Sequence, residues 1–281
     1  MQTFKPTINV RGKLISFEKP LIMGILNITP DSFFAGSRKQ TERDICERAN
    51  EIISQKGEII DVGAFSTRPG ANEVSEEEEM KRLHFGLSLV RKEHPNAIIS
   101  VDTYRPDVAR MAREEYGADI INDISEGGLM GIAGVALPKS DEDIPPMFSM
   151  MAKLKIPYIL TSVQSELITM LKMAANEMAT LHSLGVNDVI FDPGFGFGKT
   201  LDDNYQILNG LEKLHSLDLP LLVGVSRKSM ITRLLNIETS QALNATTALH
   251  TIALMKGANI LRVHDVAEAA EAVEIVMKLK Q

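Results

Sequence analysis

Short apolar runs alternate with stretches of helical periodicity along most of the chain. The runs Leu21–Leu26, Glu58–Val62, Ala97–Asp102, Asp119–Asp123, Tyr158–Val163, Val189–Phe191, Leu221–Val225 and Asn259–Val263 predict strands. Between and after them the spacing predicts helices over Thr41–Ser54, Ser75–His94, Asp107–Tyr116, Pro145–Leu154, Glu166–Leu184, Asp202–Leu217, Leu243–Lys256 and Val266–Leu279. Strands that are apolar at consecutive positions are buried on both faces, as in a parallel sheet covered by helices. Eight such units in 281 residues predict an α/β fold, a closed (β/α)8 TIM barrel rather than an open doubly wound sheet. Thr7–Val10 and Leu14–Phe17 flank Arg11-Gly12-Lys13 and predict a short β-hairpin within residues 1–20. No linker divides the chain, so residues 1–281 read as one domain. Residues 125–143, rich in Gly, Ala and charge, interrupt the rhythm after the fourth strand and predict a long loop on the upper rim.

Local signals support these elements. Ser75-Glu76-Glu77-Glu78 predicts a capping box, and the acidic run Glu76–Glu79 suits the positive end of a helix dipole. That run reads as helix-start chemistry rather than a binding site. Gly57, Gly117, Gly185 and Gly257 stand where helices should stop before the next strand. Met147, Met150, Met151, Met170, Met173 and Met178 lie on helical patterns and are expected to fill the core. His84, His94, His182, His215 and His250 also fall on helical patterns and are expected at the surface.

Composition narrows the function. With 44% hydrophobic and 24% charged residues the chain can bury a sizeable core. A net charge of −7 argues against a nucleic-acid surface, which needs a basic face, but leaves room for a small basic pocket. The single cysteine, Cys46, excludes an internal disulfide and a multi-cysteine metal site, and reads as a small core residue. No run is long enough to span a bilayer and the N-terminus carries no apolar signal core, so a cytoplasmic protein is expected.

In a barrel, the residues at the C-terminal ends of the strands form the site. Here they are polar: Asn27, Asp61, Asp102, Asn122 with Asp123, Asp192, Ser226-Arg227-Lys228-Ser229 and Arg262-Val263-His264-Asp265. Asp102, Asn122, Asp192 and Lys228 offer donors and acceptors suited to a planar heterocycle. Arg68, Arg262 and His264, with the N-terminus of the last helix, suit an anion. Each has a bland reading as well. Asp61 can be a hydrogen-bonded core acid, Asn122 can satisfy loop backbone, and Arg227 and Lys228 can be solvated. No Ser-His-Asp order resembles a triad, and no spacing suggests zinc. The stretch Asp192-Pro193-Gly194-Phe195-Gly196-Phe197-Gly198-Lys199-Thr200 presents an acid before a glycine-rich turn; Lys199 is left without a role and can simply be solvated.

From about Leu21 onward these blocks resemble, in order, the signatures of the dihydropteroate synthase family. Met23-Gly24-Ile25-Leu26-Asn27-Ile28-Thr29-Pro30-Asp31-Ser32-Phe33 is similar to its first signature and Ser66-Thr67-Arg68-Pro69-Gly70 to its second loop. Ser100-Val101-Asp102-Thr103, Ile121-Asn122-Asp123, the Asp192–Thr200 stretch, Gly224-Val225-Ser226-Arg227-Lys228-Ser229 and Arg262-Val263-His264-Asp265 resemble the rest. The resemblance implies a transferase of folate biosynthesis that joins 4-aminobenzoate to 6-hydroxymethyl-7,8-dihydropterin diphosphate and releases diphosphate. It further implies that Asp102, Asn122, Asp192 and Lys228 bind the pterin, and that Asn27 helps hold a Mg2+ accompanying the diphosphate. Thr67, Arg68, Arg262 and His264 would bind the diphosphate, and Pro69, Phe197, Lys228 and Ser229 the aminobenzoate. Asp102, Asp192, Lys228 and Arg262 would carry the chemistry. A homodimer through the later helices is implied as well, with small-molecule substrates and neither nucleic acid nor membrane as partner.

The chain departs from the family at identifiable places. The fifth strand reads Ile159-Leu160-Thr161-Ser162-Val163-Gln164 where a Met-His-Met-type run with a methionine packing on the pterin is common, so Thr161 or a neighbour would replace that surface. Ala35-Gly36-Ser37 replaces a common Asp-Gly-Gly, and Ala64-Phe65 a common Gly-Glu. Two alternatives therefore stand beside the synthase: a pterin-binding paralogue without turnover, and a pterin-dependent methyltransferase-type barrel. The Arg-Val-His-Asp and Ser-Thr-Arg-Pro-Gly blocks count against the latter.

Overall fold

A computed structural model of the chain describes residues 6–28, 38–65, 74–128 and 144–280. β1 (Thr7–Val10) and β2 (Lys13–Ser16) form an antiparallel hairpin. The barrel strands are β3 (Leu21–Asn27), β4 (Ile59–Gly63), β5 (Ile98–Asp102), β6 (Ile120–Asp123), β7 (Tyr158–Thr161), β8 (Val189–Asp192), β9 (Leu222–Val223) and β10 (Ile260–Val263). They run parallel in the order β8-β7-β6-β5-β4-β3-β10-β9. A parallel bridge between Phe191 and Leu221 brings the two ends together, the Phe191 N–H donating to Pro220 O at 2.9 Å. The result is a nearly closed eight-stranded barrel with helices outside, as the alternation of elements predicts.

Side-chain alternation along the strands sorts the apolar residues into two cores. Outward residues such as Ile60, Val62, Ile99, Val101, Ile121, Leu160, Phe191 and Leu261 pack under the helices. Inward residues Met23, Ile59, Ile120, Ile159, Ile190, Leu222 and Ile260 fill the lower barrel together with Ile8, Val10 and Phe17 of the hairpin segment. The hairpin is thus the floor of the barrel. Arg11 pins it, donating from Nε and a terminal nitrogen to Asp119 at 2.6 and 2.7 Å.

Several boundaries differ from expectation. The helix predicted over Asp202–Leu217 is an α-helix over Leu201–Asn209 followed, after Gly210, by a 3-10 segment over Leu211–Leu217. A Cβ at Gly210 would lie 3.1 Å from Leu167, so the chain passes close to its neighbour there. An unpredicted helix, Ser229–Leu235, follows β9. Gly57 does not take the left-handed turn expected of it: Lys56 does, at φ 73°, while a Cβ on Gly57 would come 2.6 Å from Ile52. Met147, Met150, Met151, Met170 and Met178 are buried, Met173 and Cys46 half-buried. Among the described residues no helix is long and apolar enough to cross a membrane. Residues 129–143 of the expected rim loop lie outside the described residues.

Candidate active site

The alternation that fills the barrel floor also builds the site. Two positions beyond each inward apolar residue, toward the C-terminal end of its strand, stands another inward residue. Ile59 leads to Asp61, Ile98 to Ser100 and then Asp102, Ile120 to Asn122, Ile159 to Thr161, Ile190 to Asp192, and Ile260 to Arg262. The apolar plug is therefore roofed by a polar layer. Asp61, Ser100, Asp102, Asn122, Thr161 and Asp192 are all buried.

Arg262 is the hub. Its Nε donates to Asp61 at 2.6 Å and a terminal nitrogen donates to Asp102 at 2.7 Å. Asn122 donates to the two Asp61 oxygens at 3.3 and 3.5 Å. The sorting of Asp102 and Arg262 into a heterocycle group and an anion group is thus no spatial separation: they touch. Asp61 is the core acid of the bland reading and also a partner of the site's arginine. Burial raises Asp102 to about 7; Arg262 opposes this and the neighbouring Asp61 adds to it. Burial alone would lower Arg262, but Asp61 and Asp102 outweigh it and hold the guanidinium charged. Burial also raises Asp192, against the pull of Lys228 and the Gly194 N–H at 2.8 Å.

Lys228 reaches over this layer. Its ammonium donates to Phe195 O and lies 4.2 Å from the centroid of the Phe197 ring. Desolvation brings it down to about 8, with Asp192 opposing and Arg262 reinforcing. It is not the solvated lysine of the bland reading. Arg227 is not solvated either: it forks onto Asp265 with two bonds of 2.8 Å and donates to Thr239 O and Ser240 O. Asp265 is thereby committed at the start of the last helix. His264 is half-buried, its backbone N–H and Nδ1 at 3.2 and 3.1 Å from Ser226 Oγ.

A cavity of about 280 Å³ opens above, lined by Asn27, Asp102, Phe197, Ser226, Lys228, Ser229, Arg262 and His264 among others. Ile25, Asn27, Phe65, Asp102 and Phe197 thus reach one space from four different strands or their following loops. Phe65, Val74, Tyr104 and Ile124 form a small apolar cluster at the rim, with Phe197 packed against it and Phe65 edge-on to Tyr104 at 5.7 Å. Phe65 is the residue by which the chain departs from the family's Gly-Glu, and here it is part of the wall. Asp31, Thr67, Arg68 and Pro69 lie outside the described residues.

Orphaned polar atoms gather in the same layer. Asp102 Oδ1, Asn122 Oδ1, Thr161 Oγ1 and Ser100 Oγ are buried with no hydrogen-bond partner among the described residues. Buried polar atoms are almost always paired, so such a concentration suits a polar ligand. Ser100 stands inside an apolar run, where only the inward parity of Ile98 could have indicated it; Thr161, expected to replace the family's methionine surface, does stand in this layer. Glu79 stands in the first helical turn as expected, and is there fully buried and ion-paired with Arg105. Two other expectations need correction. His250 is buried rather than at the surface, and desolvation lowers it to about 4. Lys199 is not solvated but donates to Ser162 O at 2.9 Å and Phe197 O at 3.1 Å.

As to a cation, among the described residues no group of three or more His, Cys, Asp or Glu side chains could hold a metal. Asn27 Oδ1 lies beside Gly63, 3.3 Å from where a Cβ would stand, with Asp102 Cβ 3.5 Å from the same point. Asn27 lines the cavity and offers one neutral oxygen there. It fits a Mg2+ whose remaining ligands come from substrate phosphates and water, the usual way this ion is bound.

Residues 23–264 match the model of a family described as pterin binding enzyme. The dihydropteroate synthase of Escherichia coli (strain K12) is 39% identical over 282 residues, spanning 95% of this chain and 94% of the relative. Among solved structures, Yersinia pestis dihydropteroate synthase with a sulfonamide drug complex superposes with a TM-score of 0.82 at 35% identity, over 98% of this chain and 99% of that one. Xanthomonas albilineans dihydropteroate synthase with 4-aminobenzoic acid gives a TM-score of 0.84 at 29% identity, over 98% of each chain. With the strand-end blocks in order, the barrel closed around them and near-complete coverage at this identity, the chain belongs to the dihydropteroate synthase family of pterin binding enzymes.

Proposed function

We propose that the chain is a working dihydropteroate synthase, condensing 6-hydroxymethyl-7,8-dihydropterin diphosphate with 4-aminobenzoate to give 7,8-dihydropteroate and diphosphate. The observation that carries this reading is the polar layer roofing the barrel, buried Asp102, Asn122 and Asp192 with half-buried Arg262, in which acceptor atoms of Asp102 and Asn122 are unpaired among the described residues. A pterin edge carries amino and ring N–H donors beside a carbonyl, which this set of acceptors and cations complements.

Substitution proceeds dissociatively in this reading. The methylene C–O bond breaks and its electron pair leaves with the diphosphate. The electron-rich dihydropterin ring delocalises the cation left on the methylene, and the Asp192 and Asp102 carboxylates favour that cation electrostatically. The aniline nitrogen then donates its lone pair to the methylene carbon and releases one proton to water, so no activated serine or cysteine is required. Arg262, His264, Thr67 and Arg68 hold the leaving diphosphate. Lys228, Ser229, Pro69 and Phe197 form the aminobenzoate slot. When bound at Asn27, Mg2+ would neutralise charge on the diphosphate.

A homodimer belongs to the same proposal. Leu234, Leu235, Ile252, Met255, Ile275 and Leu279, all on the later helices, are exposed apolar residues that a second copy would cover. A cytoplasmic location belongs to it as well, the single cysteine being compatible with a reducing compartment.

The test is diphosphate release from pterin diphosphate plus 4-aminobenzoate and Mg2+. Turnover that requires both substrates is expected. Pterin binding by calorimetry without any release would replace the synthase with a non-catalytic paralogue.

A further inference from the structure

Lys199 has no part in the chemistry just described, yet it is tied into the site's wall. Its ammonium donates to Ser162 O at 2.9 Å and to Phe197 O at 3.1 Å, linking the loop after β7 to the loop after β8. The same two loops touch backbone to backbone. Gly194 sits at φ 69°, and a Cβ there would stand 2.1 Å from Ser162 O, so only glycine allows the approach. Ser162 N–H donates to Asp192 O at 2.8 Å, which anchors the loop to the acid.

The far side of the β7 loop is held by Glu126. This residue has a positive φ of 53°, is 1% exposed, and lies at the start of the long rim segment. Ser162 Oγ donates to its Oε1 at 2.8 Å and Gln164 Nε2 to its Oε2 at 2.9 Å. Ser162 is therefore gripped twice, by a carboxylate at its hydroxyl and an ammonium at its carbonyl. Burial lowers Lys199 to about 8, opposed by Asp192 and Glu126. A lysine held in a cage of carbonyls, with buried acids acting on it, is not a solvating side chain.

The consequence falls on Phe197. Two lysines hold the glycine-rich turn: Lys228 at Phe195 O and Lys199 at Phe197 O. Between these two points the Phe197 ring is presented to the cavity, 4.2 Å from the Lys228 ammonium. We infer that Lys199, braced through Ser162 by Glu126, is a positioning residue that sets the Phe197 ring and the Lys228 ammonium for the aromatic amine substrate. This rests on the synthase reading. Both tethers act directly on the aminobenzoate wall; their link to the pterin layer runs only through Ser162 N–H to Asp192 O, while Asp102 and Asn122 are held by Arg262 and Asp61. Loosening Lys199 should therefore affect the aminobenzoate more than the pterin.

The experiment compares the full chain with Lys199→Met, Lys199→Arg and Glu126→Gln. Expected for Lys199→Met is a KM for 4-aminobenzoate raised about tenfold, the scale of one lost charged hydrogen bond, with a clearly smaller change in pterin diphosphate affinity by calorimetry. Lys199→Arg should recover part of the loss and Glu126→Gln should reproduce a smaller version of it. A second readout needs no turnover. The chain contains no tryptophan, so Phe197→Trp is a sole reporter of the ring's environment. Adding Lys199→Met to that variant should lower its steady-state fluorescence anisotropy. An unchanged KM with unchanged anisotropy overturns the inference, and so does an equal loss of pterin affinity, which would make Lys199 a general scaffold residue. Absence of diphosphate release by the unsubstituted chain overturns the functional reading instead, and leaves the anisotropy comparison to decide the role of Lys199.

Discussion

Arg262 Nε and Asp61 Oδ2 lie 2.6 Å apart at the top of the barrel plug, although their residues stand on strands at opposite ends of the chain. Asp61 is fully buried and Arg262 largely so, and a terminal nitrogen of the arginine donates to Asp102. Removing the carboxylate strips a mostly desolvated guanidinium of one of its two acid partners. Asp61→Ala should therefore lower the unfolding free energy by about 3 kcal/mol, while Asp61→Asn should cost less by keeping a hydrogen-bond acceptor. Urea denaturation of the two variants checks this; equal midpoints with the unsubstituted chain would remove Asp61 from the foundation of the site.

Asp192 is buried at the end of β8 and accepts from the Gly194 N–H, so its carboxylate is preset before any ligand arrives. Asp192→Asn keeps the size and discards the charge. Pterin diphosphate affinity should fall about 10- to 100-fold, as expected for a lost charge-assisted hydrogen bond, and turnover should fall further. Calorimetry and the diphosphate release assay measure the two effects; unchanged values for both would assign the carboxylate to the turn alone.

Thr161 Oγ1 is fully buried with no hydrogen-bond partner among the described residues, in register with Asp192 on the neighbouring strand. An unpaired buried hydroxyl costs stability, and valine fills nearly the same space. Thr161→Val should raise the melting temperature of the ligand-free protein by about 2 °C and lower pterin affinity several-fold. A gain in stability with no change in affinity would show that the hydroxyl does not meet the ligand.

Glu177 is buried on the helix Leu167–Ser183, its Oε2 with no partner among the described residues. Burial raises it to about 8, with Glu126 and Asp123 adding to the shift. A carboxyl raised above its unfolded value stabilises the fold most fully below that unfolded value, about 4.5. The contribution is lost as pH rises through about 8. Glu177→Gln keeps the neutral form at every pH. The variant should match the unsubstituted chain near pH 4.5 and exceed it in melting temperature at pH 9. Lys199 and Lys228 titrate in the same range with the opposite sign, but they are common to both proteins and cancel in the difference. A difference independent of pH would show that the fold leaves the ionisation of Glu177 unshifted.

Much of this architecture was legible along the chain. Eight apolar runs alternating with helical patterns specify a barrel because parallel strands buried on both faces need helices around them. The strand-end polar residues announced the site's position, since each stands just beyond an apolar run. What the chain order hides is who meets whom. Ser100 sits within an apolar run, and only the shared inward face shows that it joins Asp102. His250 and Glu79 follow helical patterns like their exposed neighbours, and burial appears only when the helices are docked. Lys199 looked free because its partners, Ser162 O and Phe197 O, are backbone atoms, which carry no sequence signal.

The sequence by itself determined the alternation of elements, the family and the set of polar side chains delivered to one end of the barrel. Tertiary structure alone decided that Arg262 binds Asp61 and Asp102, that Arg227 is spent on Asp265, and that Lys199 and Lys228 hold the same turn from two sides. The physical reason is that periodicity records which face a residue occupies, a local property. Charge pairing, desolvation and backbone contacts depend on distances set only when distant strands close into one barrel.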